Sequence, residues 1–466
     1  MTTHEHNFDV VVIGGGLAGH CAALAAAECG ASVALFEKMA RPGGSTVLSA
    51  GSLAFAGTEL QRAIGVEDSP AGLAEELMKI AGGKADPKLV QLYVEHQADT
   101  FDWLKAHGVV FHKVSLSSNM TVPRTHPTNS KQLIEALHER VRDTPSIHYQ
   151  ADTPAHRLLT NELREVIGCE IYVAGKPVAV RAKRGVVIAS GGFTKNPELM
   201  QRFAPQFVTA PAWGGEGNTG DGLTLAWELG ADLIDMGYIT GTFGAALNNY
   251  PDTRVRPGDE LMLRMAIYRG AIVVNLDAQR FADESQSYKK LGTICLAQRD
   301  GVAIQIFDQP IMDQSAPNPS VNDLQGALAK GVIRKAKTLQ ELAALMQLDA
   351  SRLESTVARY NSFVDANHDA DFGRTSLGGG FGKPVKIATP PYYALPCSTA
   401  VLSTYCGLHV DTDMRVLNVH GRPIAHLFAA GEVIGGLHAA GYMSGSSLGK
   451  AAIFGRIAGA QAAQGT

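Results

Sequence analysis

Little in the sequence announces secretion, metal binding or nucleic-acid binding. Its 466 residues include six cysteines (Cys21, Cys29, Cys169, Cys295, Cys397 and Cys406), none in a CxxC pair. A chain of this length needs no disulfide staples, so reduced thiols in a cytoplasmic protein are expected. Charge of one sign is also lacking: 41 basic residues face 45 acidic ones, the formal net charge is -4, and no block of like charges occurs. That argues against a nucleic-acid binder. There are no repeats or low-complexity tracts, and no spacing suggests zinc or a Ser/His/Asp arrangement. Met1 to Phe8 lacks the basic, apolar and cleavage regions of a signal peptide, and its His4 and His6 read as a polar tail rather than a metal site. The one long apolar run, Val10 to Ala27, is spoiled as a membrane helix by Gly14-Gly15-Gly16 and His20, with Glu28 following at once.

Glycine, by contrast, is abundant. Fifty glycines make about a tenth of the chain, above the usual ~7%, so much backbone must turn sharply or approach something closely. The length allows roughly three domains, or two larger ones.

Phe8 to Ile13 is a short β-branched run. It leads into Gly14-Gly-Gly16-Leu-Ala-Gly19, an Ala-rich helix pattern to Cys29, and a second strand, Ser32 to Phe36, ending on Glu37. Each part has a physical purpose in holding a dinucleotide. Gly14 permits the turn, Gly16 lets N–H groups approach a pyrophosphate, and Gly19 allows helix to pack on strand. The helix N-terminus attracts phosphate, and Glu37 accepts from a ribose. The motif alone leaves flavin and nicotinamide both open.

Helical patterns cover Ala71 to Ala81, Pro87 to Ala106 and Ser130 to Thr144, with strand-like runs at His148 to Asn161 and Val166 to Val173. Arg184 to Ser190 reads as another central parallel strand, its C-terminal end facing a ligand. Asn218-Thr-Gly-Asp-Gly222 opens the helix Leu223 to Leu229. His426 to Ala430 is a strand meeting Gly431-Glu432, and Ser446 to Ala460 is a helix, so both ends of the chain must complete one sheet. The middle differs in texture, with a β segment at Ala271 to Asn275, helices at Leu339 to Met346 and Ala350 to Asn367, and a Gly/Pro-rich exit at Gly378 to Pro391. The expected fold is α/β. A Rossmann-like dinucleotide-binding domain from residues 1–242 and 403–466 is interrupted by an inserted α+β domain at 243–402.

Arg41-Pro-Gly-Gly44-Ser-Thr46 and Ser49-Ala-Gly51-Ser favour a flavin, because a nicotinamide dehydrogenase usually needs no second glycine stretch there. No second GxGxxG follows a strand. With these pieces in place, the chain resembles the FAD-dependent fumarate reductase and succinate dehydrogenase flavoprotein superfamily, in particular its soluble members. The matching segments are DVVVIGGGLAG, FEKMARPGGST, GVVIASGGF, NTGDGLTLAWELGA, SRLESTVARYNSFVDANHDADFGR and LFAAGEVIGGLHAAGYMSGSSLGKAAIFGRIAG.

The resemblance makes the dinucleotide-binding domain an FAD-binding domain and the inserted one a capping domain. It implies that Gly14, Gly16, Leu17, Ala18, Gly19, Glu37 and Lys38 hold the adenosine and pyrophosphate half of FAD. It places Gly43, Gly44, Ser45, Thr46 and Gly51 along the flavin, adds Ala155, and gives Asp221 and Glu432 the ribityl or pyrophosphate region. The N–H groups of Ser447 and Leu448 would face the pyrimidine end, where a helix N-terminus favours the negative charge of the reduced ring. Some members attach FAD to a histidine near the second glycine stretch; that region has none here, so non-covalent FAD is expected.

Fumarate reductases clamp a dicarboxylate with two histidines and an arginine, and protonate it with a second arginine. The matching positions here are Thr242, Ser403, Tyr442 and the residues after Asp308, Gln309-Pro-Ile-Met. Tyrosine cannot replace a bidentate guanidinium. The set Tyr288, Tyr442 and Ser444 is similar instead to the ketosteroid dehydrogenases of the superfamily, of the 3-oxo-5α-steroid 4-dehydrogenase type. Desaturation beside a ketone needs donors on the carbonyl, a base for the α proton and a β hydride passed to flavin N5. A phenol has a pKa near 10, so it needs help to act as base. Proton abstraction falls to one tyrosine, Tyr288 slightly ahead, and carbonyl polarisation to Tyr442 and Ser444; Tyr405 is a third phenol.

Plainer readings stay open: the tyrosines as core phenols, Ser444 as a helix N-cap or turn residue. Tyr405, Ser403, Arg124 and His126 are further substrate candidates, although the last two read more readily as a surface turn. Glu284 is a proton-relay carboxylate or a structural partner of Arg280. The expected substrate is a small, hydrophobic ketone, and the electron acceptor a quinone or carrier. Two alternatives stand beside this reading. One is a reductase or dehydrogenase of an unsaturated or carboxylated molecule, of fumarate reductase or tricarballylate dehydrogenase kind, anchored by Arg124 or His126. The other is a flavin electron-transfer subunit without its own substrate.

Overall fold

The computed structural model describes residues 6–117, 120–239, 241–253, 262–317, 320–380 and 382–465; His4 lies outside them. The chain folds into two compact units. The first comprises Met1–Pro205, Gly214–Ile239 and Ser403–Thr466, and the second Gln206–Trp213 and Thr240–Leu402. Gln206–Trp213 belongs to the second unit because the Trp213 N–H donates to the Val401 carbonyl at 2.8 Å and Ala212 forms a β-bridge with Val401.

In the first unit a sheet of eight strands runs in the order Arg415–Leu417, Pro423–Ala429, Lys176–Ile188, His6–Ile13, Val33–Phe36 and Ile147–Gln150, with Ala155–Thr160 and Val166–Val173 folded off it. The five strands from Pro423–Ala429 to Ile147–Gln150 pair in parallel. Val10, Val11 and Val12 are fully buried, as a central parallel strand covered on both faces requires. The strand expected at Arg184 begins earlier, at Lys176, because its first half pairs antiparallel with Val166–Val173 before its second half joins the parallel core. Helix Leu17–Glu28 packs against the last helix, Ser446–Gln464. The run read as one strand from His148 to Asn161 breaks at residues 151–154 into two.

In the second unit, Thr242–Ala246, Tyr392–Ala400, Ala303–Asp308 and Ile272–Val274 form an antiparallel sheet, with Arg334–Ala336 pairing on Tyr392–Ala400. Helices Tyr288–Leu296, Leu339–Met346 and Ala350–Ala366 belong to this unit. Its core gathers residues such as Phe243, Ile304, Phe307, Leu342 and Tyr393. Among the described residues no helix is long and apolar enough to cross a membrane.

Candidate functional site

The first strand ends at Ile13, and Gly14 turns the chain at φ +113°, a conformation open to glycine. A Cβ on Gly19 would strike the Gly14 carbonyl oxygen, so only glycine lets the helix sit this close to the strand. Gly16 differs: a Cβ there would meet no protein atom closer than 3.9 Å. Packing within the protein does not demand glycine at 16, whereas a ligand approaching the loop does. Glu37 is buried, and its carboxylate accepts from Gly15 N–H at 2.7 Å and from Met39 N–H at 2.8 Å, which ties the glycine loop to the second strand. Ala155 opens a strand just after Thr153, whose N–H donates to the Glu37 carbonyl.

The second glycine stretch lies on the first. Gly43 N–H donates to the Gly15 carbonyl at 2.8 Å, and Thr46 Oγ1 accepts from Leu17 N–H at 3.3 Å. Ser45 Oγ accepts from Gly215 N–H at 3.0 Å and Asn218 Nδ2 at 3.2 Å, and Asn218 Nδ2 also reaches Glu432 Oε2 at 3.1 Å. Glu432 accepts from Thr404 N–H at 3.1 Å and bonds the Ser403 hydroxyl; burial, opposed by these bonds, holds its pKa above the usual carboxylate value. Ser403 is therefore bound to the cofactor cradle. Lys38 pairs with Asp221 at 2.6 Å and also bonds Thr219. Gly44 follows Gly43 in the same turn, and the Gly51 carbonyl accepts from Thr128 N–H at 2.9 Å.

Two hydroxyl oxygens in this cradle, Ser190 Oγ and Thr404 Oγ1, are buried without a hydrogen-bond partner in the protein. Open space at Gly16 and two hydroxyls awaiting partners fit a dinucleotide that carries its own acceptors. Sequence reasoning missed Asn218, Ser190 and Thr404 as members. Asn218 could have been found, since it begins the turn that ends on left-handed Gly220.

The substrate candidates of the first unit gather before the last helix. That helix is capped by Gly445 at φ +87°, so Ser444 is not its N-cap. Tyr442, half-buried, accepts on its hydroxyl from Gly445 N–H at 3.1 Å and also bonds Ser447; burial nonetheless raises its pKa. Ser447 and Leu448 lie in the first turn, where N–H groups have no intrahelical acceptor. Tyr405 is buried and stands at φ +57°, strained for a residue with a Cβ. Its ring lies 5.1 Å from that of Tyr442, centroid to centroid, and His438 completes the group at 5.2 Å from Tyr405 and 5.5 Å from Tyr442. His438, embedded in Gly435-Gly-Leu-His438, gave no separate signal in the sequence.

Arg124 and His126 require correction. Neither is on a surface turn: both are buried. The Arg124 guanidinium meets Asp68 through Nε at 2.8 Å and Nη2 at 2.7 Å, and its Nη1 pairs with Glu76. Its charge is thus already matched by two carboxylates within the protein. His126 bonds Thr58 Oγ1 at 2.7 Å and the Arg124 carbonyl at 2.8 Å, and burial pushes its pKa down to about 4, so it stays neutral.

Tyr288 belongs to the second unit, where it opens helix Tyr288–Leu296 behind the Ser287 N-cap and packs on that unit's core. Beside it Lys289 is buried, donates to Thr242 Oγ1 at 2.6 Å and holds its ammonium 5.6 Å from the Tyr288 ring centroid. Burial pulls its pKa from 10.5 to about 7. Glu284 is a structural partner: it accepts from Arg280 at 3.0 and 2.8 Å, from Arg374 at 3.2 Å and from Val273 N–H at 3.1 Å. Gln309, which follows Asp308, accepts from the Tyr393 hydroxyl at 2.6 Å. Among the described residues no group of His, Cys, Asp or Glu is arranged to hold a metal.

The sequence matches the family described as FAD binding domain over residues 9–448. It is 32% identical over 462 residues to the fumarate reductase (cytochrome) of Shewanella frigidimarina, covering 98% of this chain and 77% of that protein. It is 30% identical over 465 residues to the NADH:fumarate oxidoreductase of Klebsiella pneumoniae (strain 342), covering 98% of this chain but spanning only 48% of that protein. Among solved structures it is similar to 3-ketosteroid-Δ4-(5α)-dehydrogenase from Rhodococcus jostii RHA1 in complex with 4-androstene-3,17-dione. There the TM-score is 0.79 and the identity 28%, with 99% of this chain and 98% of that one covered.

Proposed function

We propose a reaction for this chain, which belongs to the FAD-binding fumarate reductase family: introduction of a C=C bond α,β to a ketone in a small hydrophobic molecule, a ketosteroid or a smaller cyclic ketone. The likeness to a ketosteroid dehydrogenase supports it. The observation that carries it is Tyr442. Its oxygen is anchored by Gly445 N–H at the start of the last helix, and its raised pKa keeps the hydroxyl protonated. Such a phenol is a fixed donor, suited to a carbonyl oxygen that gains negative charge as the α proton leaves. When bound, FAD supplies the acceptor for the β hydride.

We assign its non-covalent binding to Gly14, Gly16, Gly19, Glu37, Ser45, Thr46, Asn218, Glu432 and the N-terminus of the last helix. Ser444, two residues from Tyr442, is a second donor. Two phenols qualify as base, Tyr288 with the Lys289 ammonium near its ring and Tyr405 beside His438. A nearby cation favours a phenolate. A carboxylated substrate is disfavoured because Arg124 is consumed by Asp68 and Glu76.

The test is anaerobic bleaching of the FAD absorbance by a panel of 3-ketosteroids, cyclic ketones, succinate and tricarboxylates. Bleaching by ketones, lost in Tyr442→Phe, supports the proposal; bleaching by carboxylates alone overturns it. The electron acceptor, a quinone or protein carrier, is then found by following reoxidation.

A further inference from the structure

His20 lies one turn into helix Leu17–Glu28, directly behind the glycine loop, and is fully buried. Its Nδ1 is 2.9 Å from the Gly16 carbonyl oxygen, which also accepts from His20 N–H at 3.1 Å. A carbonyl can only accept, so Nδ1 carries the proton. In the neutral ring Nε2 is then a bare lone pair. It faces His138 Nδ1 at 3.1 Å, and that nitrogen must therefore be the donor. These two contacts fix the protons of both imidazoles, and the one lone pair left over is on His138 Nε2. His138 stands on helix Ser130–Asp143 and is only half-buried, so the pair takes up a further proton there.

We propose that His20 and His138 act as one unit that links FAD binding to a proton, the cofactor being held more tightly when His138 Nε2 is protonated. The proton comes from water, an Nε2–H bond forms, and the pair gains one positive charge. Neither contact has to break, because His138 Nδ1–H still donates to His20 and His20 Nδ1–H still donates to Gly16. The added charge polarises this row of donors toward the glycine loop, whose helix N-terminus suits a pyrophosphate. Positive charge behind the loop favours that dianion, and by reciprocity bound FAD favours the proton. Burial, with Arg142 nearby, holds the His138 pKa below the ordinary 6.5, so the effect develops on the acid side of neutrality. Burial brings His20 to about 4, which leaves the added proton on His138.

The groups around the pair leave His138 as its titrating member. On its own helix His138 has Glu135 and Arg142 within one turn, and Arg142 acts on it directly. Tyr149, on the strand Ile147–Gln150, stands edge-on to it at 4.5 Å between centroids, and burial pushes that phenol up to about 12. His148 alternates to the opposite face of the strand. The Glu37 carboxylate is bonded to Gly15 and Met39 N–H. Cys21, beside His20, is a thiol that burial raises to about 12, and Arg456 of the last helix, which acts on it, bonds Thr100. Asp9 and Arg184, on the strands that helix Leu17–Glu28 covers, lie 3.6 Å from each other.

The test follows release of FAD from the holoenzyme on serial dilution, read as the rise in free-flavin fluorescence, at pH 5.5 to 8. The pyrophosphate of FAD is a dianion throughout this range. Wild type should hold FAD about fivefold more tightly at pH 5.5 than at pH 8, the low end of ordinary coupling. His138→Gln keeps an N–H that can donate to His20 Nε2 but has no titrating nitrogen, so its affinity should change less than about twofold across the range. A merely structural pair would instead weaken binding at every pH and leave the two profiles parallel. A wild-type affinity that is flat or falls on acidification overturns the proposal, and so does a His138→Gln profile that rises with the wild type.

A second measurement reads the tautomer itself. In ¹⁵N-histidine-labelled holoenzyme at pH 8, His20 should show Nδ1 protonated and Nε2 bare, and the opposite pattern overturns the pair. Neither measurement involves a substrate, so both stand whatever the flavin-bleaching panel shows.

Discussion

Replacing Arg124 by Met separates two meanings of a buried arginine. The guanidinium makes two bonds to Asp68 and pairs with Glu76, whose side chains are only 2% and 8% exposed. Methionine fills much of the volume but strands both carboxylates, and breaking a buried pair from one side costs about 3–5 kcal/mol. Gln61 Nε2 still donates to Asp68 at 2.9 Å and Thr121 N–H to Glu76 at 2.7 Å, which argues for the low end. About 3 kcal/mol corresponds to a Tm roughly 6–12 °C lower, at ~2–4 °C per kcal/mol for a domain this large. Differential scanning fluorimetry of the FAD-bound protein reads this directly. Adding Asp68→Asn and Glu76→Gln to the same variant should restore most of the loss, since no charge is then stranded. A variant within about 1 °C of wild type, with KM for a carboxylate raised a hundredfold, would refute the reasoning and return Arg124 to the substrate.

Further outcomes follow from other sites. Gly19→Ala places a methyl group on the Gly14 carbonyl, and the purified protein should carry little FAD, read as the ratio of flavin to protein absorbance. Tyr442→Phe should slow flavin reduction by a reactive ketone about 10²–10³-fold, the usual effect of removing one donor to a developing oxyanion; an unchanged rate in stopped flow would reject its role. His20 and His126 are each held neutral by burial, with pKa values brought from 6.5 to about 4. The unfolded chain therefore binds more protons between those values, so stability is complete above about pH 6.5 and falls as pH drops toward 4. Urea titrations across that range should show the slope, and His126→Gln should flatten part of it. Lys289→Met should stabilise the protein most below pH 7, where the native ammonium is charged in a buried site, and the advantage should shrink as pH rises from 7 to 10.5.

The cofactor half was readable because local sequence and ligand chemistry coincide there. A β run, three spaced glycines and Glu37 each do something that only a dinucleotide cradle needs, and they stand close together at the start of the chain. Asn218 and Thr404 escaped notice because their value lies in what they reach, Glu432 and Ser45, far along the chain. Arg124 was misread for a related reason. Arg-Thr-His-Pro looks like a turn, and the carboxylates that bury it, Asp68 and Glu76, sit about fifty residues away on the chain. The antiparallel sheet of the second unit was largely invisible. Thr242–Ala246 and Tyr392–Ala400 are buried on both faces and lack the alternation that marks a strand.

The order of strands also sets a timetable for synthesis. His6–Ile13 emerges from the ribosome long before the strand beside it, Lys176–Ile188, and that strand's other neighbour, Pro423–Ala429. Helix Leu17–Glu28 likewise waits for Ser446–Gln464 to cover it. The nascent glycine loop therefore waits with its apolar flank exposed until the last helix is made, while the second unit, whose sheet lies wholly within residues 242–400, can close ahead of it. Loss of this helix should in consequence act like leaving the first strand unfinished, and chaperone demand during synthesis should track the delay before residue 464 appears.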